Sequence, residues 1–118
     1  MDLYFECRAG ISGDMSVGAL LDLGASREKL EKALASMKLD NEFSYVISKK
    51  SVNAIMATDF DVILPAHHHH EHHHHEHRNL DDVNKIIDKA DISENAKKLA
   101  KKIFKIVAEA ESKVHGKD

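Results

Sequence analysis

Several residue types are scarce in this sequence of 118 residues, and each scarcity excludes a class of protein. There is no tryptophan, aromatic residues make up 5%, and proline occurs once, at Pro65, so Leu, Ile, Val and Ala must build the core. The single cysteine, Cys7, excludes an internal disulfide and fits a cytoplasmic location. No apolar run approaches a membrane span, and the first residues do not form a signal peptide. We therefore expect no membrane partner.

The charge pattern argues against a nucleic-acid partner. The formal net charge is −3 with neutral histidines, and the lysines alternate with acidic residues instead of forming a basic patch. Ten histidines make this charge sensitive to mild acid. With 42% hydrophobic and 31% charged residues, the composition is that of an ordinary globular domain.

The spacing of apolar residues predicts an α+β fold in a single domain over residues 1–118. We predict a strand at Leu3–Cys7 and two helices over residues 15–23 and 26–37. An antiparallel hairpin is predicted over residues 43–64, with its turn near residues 49–53. A histidine-rich loop at residues 66–78 and two further helices follow, the first capped by Asn79 and the last ended by Gly116. The predicted order is β-α-α-β-β-(His loop)-α-α, a small antiparallel sheet packed against helices.

Nine of the ten histidines lie within eleven residues, where two glutamates interrupt them. Neutral imidazole suits nickel, copper, zinc and cobalt. Residues i and i+4 of a helix, or i and i+2 of a strand, share a face, so almost every register supplies a pair of ligands. The tract therefore predicts binding of divalent transition metals, with Ni²⁺ expected and with little selectivity. The predicted ligands are His67, His68, His69, His70, His72, His73, His74, His75 and His77.

Two simpler explanations of the tract are disfavoured. An affinity tag does not fit, because the run is internal and interrupted by Glu71 and Glu76. A solvated loop would more simply use Gly, Ser, Asp or Lys. Which histidines bind stays open, and the glutamates either add an oxygen ligand or keep the loop soluble.

A glycine-containing turn separates the predicted first strand from the first helix. Gly10 and Gly13 permit close approach of the backbone, and the N–H groups at a helix start favour an anion such as phosphate. Ser12 can donate a hydroxyl hydrogen bond, and Asp14 can cap the helix, bind a hard metal or act as a base. The turn lacks the lysine of a Walker A loop and the spacing of a dinucleotide fingerprint. One prediction is a site in which Gly10 and Gly13 bind a cofactor and Ser12 and Asp14 are catalytic. The alternative is an ordinary turn between a strand and a helix.

Two single residues have structural explanations that we prefer. Cys7 is expected to be a small apolar core residue. His115 falls in the last helical turn, where a partly positive imidazole suits the helix dipole.

Three sequence blocks together resemble the LarC family of nickel insertion proteins. The first is Phe5 to Met15, continued by Gly18 to Gly24. The second is Arg78 to Val83 with Ile86 and Ile87, directly after the histidine-rich loop. The third is Ile103 and Phe104 with Ala108 to Gly116. The blocks occur in the order that the family has them, and the resemblance extends over nearly the whole chain.

The resemblance implies a cyclometallase step in the maturation of the nickel-pincer nucleotide cofactor of lactate racemase. Nickel would be inserted into a pyridinium bis-thiocarboxylate mononucleotide through Ni–S and Ni–C bonds, with CTP hydrolysed alongside, as in a lyase. The histidine loop would deliver or store nickel. The turn with Ser12, Gly13 and Asp14 would hold a phosphate or a metal near the reaction.

The resemblance also implies partners. It corresponds to the N-terminal domain of the family, whereas CTP and its divalent cation, Mn²⁺ or Mg²⁺, belong to a C-terminal domain. The implied partners are that C-terminal domain and the pyridinium mononucleotide precursor, and the domain is not expected to insert nickel alone. A non-enzymatic nickel or zinc store or metallochaperone is the alternative function, and a homo-oligomer stays open.

Overall fold

The computed structural model describes residues 1–65 and 78–116. Their helices are α1 (Gly13–Asp22), α2 (Arg27–Ser36), α3 (Leu80–Lys89) and α4 (Glu94–His115), and their strands are β1 (Ser44–Val52) and β2 (Ile55–Ile63). The strands form a two-stranded antiparallel sheet, so the predicted α+β class is confirmed. The described residues form two compact units, residues 1–28 with 40–65 and residues 29–39 with 78–116. None of the described helices is long and apolar enough to cross a bilayer.

The strand predicted at Leu3–Cys7 is wrong. Before α1 the chain has no regular secondary structure, only a turn in which the N–H of Gly10 donates to the carbonyl of Cys7 at 3.1 Å. A strand exists only when a neighbour completes its hydrogen-bond ladder, and no described strand pairs with this segment. The side chains of Leu3 and Tyr4 are 54% and 88% exposed. Cys7 is also exposed, so its predicted place in the core is wrong.

The antiparallel hairpin forms as predicted, but β1 continues to Val52, so the turn begins later than the predicted residues 49–53. Tyr45 lies opposite Val62, Ile47 opposite Phe60 and Lys49 opposite Thr58, and residues opposite each other share one face. On that face the ring of Tyr45 stacks on Phe60 with centroids 5.5 Å apart, and Phe60 is only 7% exposed. Asn53 and Ala54 make the connecting turn with positive φ angles of 49° and 63°.

Helix α1 packs against β2 at a glycine. Gly18 is buried, and a Cβ built on it would overlap the carbonyl oxygen of Thr58. Only a residue without a side chain allows the helix to come this close to the strand. This contact fixes the first unit around α1 and the hairpin.

The second unit is built on α3 and α4. Asn79 and Asp82 form the predicted capping box: the carbonyl of the Asn79 side chain accepts the N–H of Asp82 at 2.9 Å, and the Asp82 carboxylate accepts the N–H of Asn79 at 3.1 Å. Ile87, on α3, is 6% exposed and belongs to the core of the described residues. Helix α4 ends at Gly116 in the left-handed conformation, as predicted.

Candidate functional site

The predicted metal ligands, His67 to His77, lie outside the described residues. Within residues 1–65 and 78–116, no three His, Cys, Asp or Glu side chains gather closely enough to hold a metal ion. Binding of nickel by the tract therefore stays a prediction from the sequence.

The glycine turn has a defined hydrogen-bond network at the start of α1. Ser12 is the N-cap residue, with extended backbone angles, but its hydroxyl caps no N–H group. It donates instead to the carboxylate of Asp14, which also accepts the N–H of Met15 at 2.9 Å. The hydroxyl of Ser16 donates to the carbonyl of Ser12 at 2.8 Å. Ser12 and Asp14, both predicted as site residues, are thus brought together.

This network changes which chemistry Asp14 can perform. The hydroxyl of Ser12 and, to a smaller degree, the N–H of Met15 hold the pKa of Asp14 below its ordinary value. A carboxylate that stays ionised is a weak base, and its charge at a helix start competes with a phosphate for the positive end of the dipole. The geometry therefore favours Asp14 as a cap or cation ligand over a general base.

The two glycines of the turn have different structural demands. Gly10 has a φ of +83°, a conformation that other residues rarely adopt. Gly13 begins α1 with no positive φ, and a Cβ there would meet no atom within 4 Å. The backbone conformation therefore explains Gly10, whereas neither conformation nor packing within the described residues explains Gly13.

A polar cluster that the sequence reasoning missed joins α1 to the hairpin. The Asp22 carboxylate accepts the ammonium of Lys49 at 2.6 Å, and the N–H and hydroxyl of Thr58 at 2.7 and 2.6 Å. The bond from Lys49, followed by those from Thr58, holds the pKa of Asp22 well below its ordinary range. Gly18 and Asp22 are four residues apart and share a helix face, which is the only local signal of this contact.

A cavity of about 550 Å³ in the second unit brings together the second and third sequence blocks. Glu111 and His115 lie one turn apart on α4, so they offer an oxygen and a nitrogen ligand on one face. Arg78 and His115 suit a phosphate or carboxylate. The cavity is lined by Arg78, Asn79, Leu80, Ala108, Glu111, Ser112 and His115.

The family model described as nickel insertion protein matches residues 3–118. Three similar proteins are named pyridinium-3,5-bisthiocarboxylic acid mononucleotide nickel insertion protein. The chain is 50% identical to that of Acetivibrio thermocellus, 48% to that of Alkaliphilus metalliredigens and 41% to that of Geobacillus kaustophilus.

The matched regions cover a large share of this chain but a small share of each relative. The alignments include 97–98% of this chain but only 28–30% of each relative. No solved structure matches the chain. Because the family model extends over residues 3–118, this chain belongs to the nickel insertion protein family.

Proposed function

We propose that this chain is the nickel-binding N-terminal domain of a nickel insertase acting on pyridinium-3,5-bisthiocarboxylic acid mononucleotide. The observation that carries the proposal is the family match over residues 3–118, with the nine-histidine tract inside it. The names of the relatives supply the substrate. Nickel is the cargo that is transferred.

The tract His67–His77 is proposed as the nickel carrier. Redundant imidazoles allow two to four ligands in many arrangements, so the ion can exchange between them. A micromolar dissociation constant, about −8 kcal/mol, suits a carrier that must also release its ion.

The described residues offer two places for the reaction partners. The mononucleotide carries a phosphate and two thiocarboxylates, and Arg78 and His115 in the cavity match such anionic groups. At the start of α1, the Asp14 carboxylate is proposed to hold a divalent cation, positioned by Ser12, while Gly10 and Gly13 leave room for a ligand. CTP, with Mn²⁺ or Mg²⁺, is assigned to the C-terminal domain of the family.

Calorimetric titration of Ni²⁺, Zn²⁺ and Co²⁺ tests the carrier role. The intact chain is compared with a 118-residue variant in which all nine histidines of the tract are replaced by glutamine. We expect micromolar nickel binding by the intact chain and at least a tenfold weaker affinity in the variant. Equal nickel affinity in both chains would remove the tract from the proposal.

Cofactor maturation separates an insertase domain from a metal store. Asp14→Asn is assayed in a reconstituted maturation reaction that also contains the C-terminal domain, with Asp2→Asn as the matched control near the chain start. Loss of maturation with unchanged nickel binding supports the insertase. Full maturation by the Asp14 variant favours the non-enzymatic store or metallochaperone.

A further inference from the structure

Helix α4 has one face that contacts α3. The ammonium of Lys97 donates to the carbonyl of Asp88 at 2.9 Å, and that of Lys101 lies 2.5 Å from the Asp88 carboxylate. Ala100 and Ala108 on the same side are half-buried. These contacts fix which side of α4 is covered within its own unit.

A second face of α4 is an apolar stripe turned away from α3. Its members recur with helical spacing and are 47–80% exposed: Leu99, Ile103, Ile106, Val107 and Val114. Single exposed aliphatic residues are common, but five on one face of a helix indicate a surface that another element covers.

We infer that this apolar stripe is the docking surface for the remainder of the nickel insertion protein, the part of the relatives outside the matched segment. The inference rests on the proposed function. In the relatives the matched segment is only 28–30% of the length, so most of the protein is available to form the second layer. Lys102 and Lys113 border the stripe, which favours acidic residues at the rim of the docking partner.

The N-terminal segment supports this partner over a second copy of the chain. Leu3 and Tyr4 are exposed in a segment with the pattern of a strand and with no described neighbour to pair with. A second copy pairing along α4 would cover the stripe and leave this segment unexplained. A large further part of the protein can supply both a layer and a strand edge.

The test compares the same substitutions in two contexts. One is the 118-residue chain; the other is a full-length chimera in which this chain replaces the matched segment of the Acetivibrio thermocellus relative. Ile106→Glu and the milder Ile106→Ser perturb the stripe. Lys105→Glu is the control, because Lys105 lies outside the stripe and its side chain is 68% exposed. Thermal midpoints and sedimentation are measured for every protein.

We expect Ile106→Glu to change the midpoint of the short chain by no more than about 2 °C, because surface substitutions have small effects. In the chimera it lowers the midpoint by at least 5 °C, and Ile106→Ser lowers it less. Lys105→Glu shifts the thermal midpoint of the short chain and of the chimera equally. Equal shifts for Ile106→Glu in both contexts overturn the inference, as does a dimer of the short chain that Ile106→Glu abolishes. Nickel titration of the same variants stays unchanged in every case, so failure here is distinct from failure of the carrier role.

Discussion

Replacing Gly18 with alanine tests the contact that holds α1 against the hairpin. The added methyl group would overlap the carbonyl oxygen of Thr58, a backbone atom that cannot rotate away. The helix must therefore withdraw from β2. The withdrawal also lengthens the hydrogen bonds from Thr58 to Asp22, one turn along the same helix face.

The magnitude is the difference of two opposing effects. Overpacking in a close contact lowers the free energy of unfolding by about 1–3 kcal/mol. Replacing glycine by alanine within a helix raises it by about 1 kcal/mol, because alanine is the better helix former. We expect Gly18→Ala to lower the free energy of unfolding by about 1 kcal/mol. Gly18→Val, which is bulkier and a weaker helix former, should lower it by about 3 kcal/mol.

Gly13→Ala is the matched control in the same helix. A Cβ at Gly13 meets no atom within 4 Å, so this variant should be as stable as the parent chain or slightly more stable. Urea unfolding followed by far-ultraviolet circular dichroism gives the free energies. Amide hydrogen exchange at Thr58 gives a local readout, because its N–H is held by Asp22.

The close approach at Gly18 requires Gly18→Ala to be less stable than the parent chain, whereas Gly13→Ala is not destabilised. If both variants are equally stable and exchange at Thr58 is unchanged in both, α1 does not depend on the close approach at Gly18. Other contacts would then hold α1 against the hairpin.

Three further predictions concern other parts of the chain. Because folding lowers the pKa of Asp22, this group stabilises the fold above its ordinary pKa near 4, and the contribution is lost as the pH falls below that value. In urea unfolding, Asp22→Asn should therefore be less stable than the parent chain at pH 7. Its free energy of unfolding should also fall less between pH 7 and pH 2. Ala54→Gly should raise the free energy of unfolding by about 1 kcal/mol, because Ala54 has a φ of 63°; equal stability would contradict the turn geometry. Calorimetric nickel affinity should fall at least tenfold between pH 7.5 and pH 5.5, because only neutral imidazole binds metal; a pH-independent affinity would argue against histidine ligands.

Features governed by neighbouring residues could be predicted from the sequence. The Asn79 capping box and the end of α4 at Gly116 depend on residues within one helical turn, and both are confirmed. The alternation of Tyr45 and Ile47 predicts the hairpin, but its turn lies later than the spacing indicates, at Asn53 and Ala54. Local spacing is therefore sufficient for the helix ends but not for the register of the two strands.

Features that depend on distant residues could not be predicted. Nothing in the local sequence pairs Asp22 with Thr58, because 36 positions separate them. The Leu3–Cys7 segment has a strand pattern, but a pattern does not provide the neighbour that a ladder requires. The sequence allows Asp14 to be a cap, a metal ligand or a base, and only its contacts with Ser12 and Met15 favour the cap or the ligand over the base.

The cluster around Asp22 also bears on how the hairpin avoids aggregation. A two-stranded sheet has outer edges whose N–H and C=O groups can recruit a strand from another molecule. At Thr58 the Asp22 carboxylate takes the N–H, and Gly18 brings α1 directly over the carbonyl. Helix α1 thus occupies the position that an incoming strand would need. A chain that loses this cover would expose a template for intermolecular strand addition, even where the loss of stability is small.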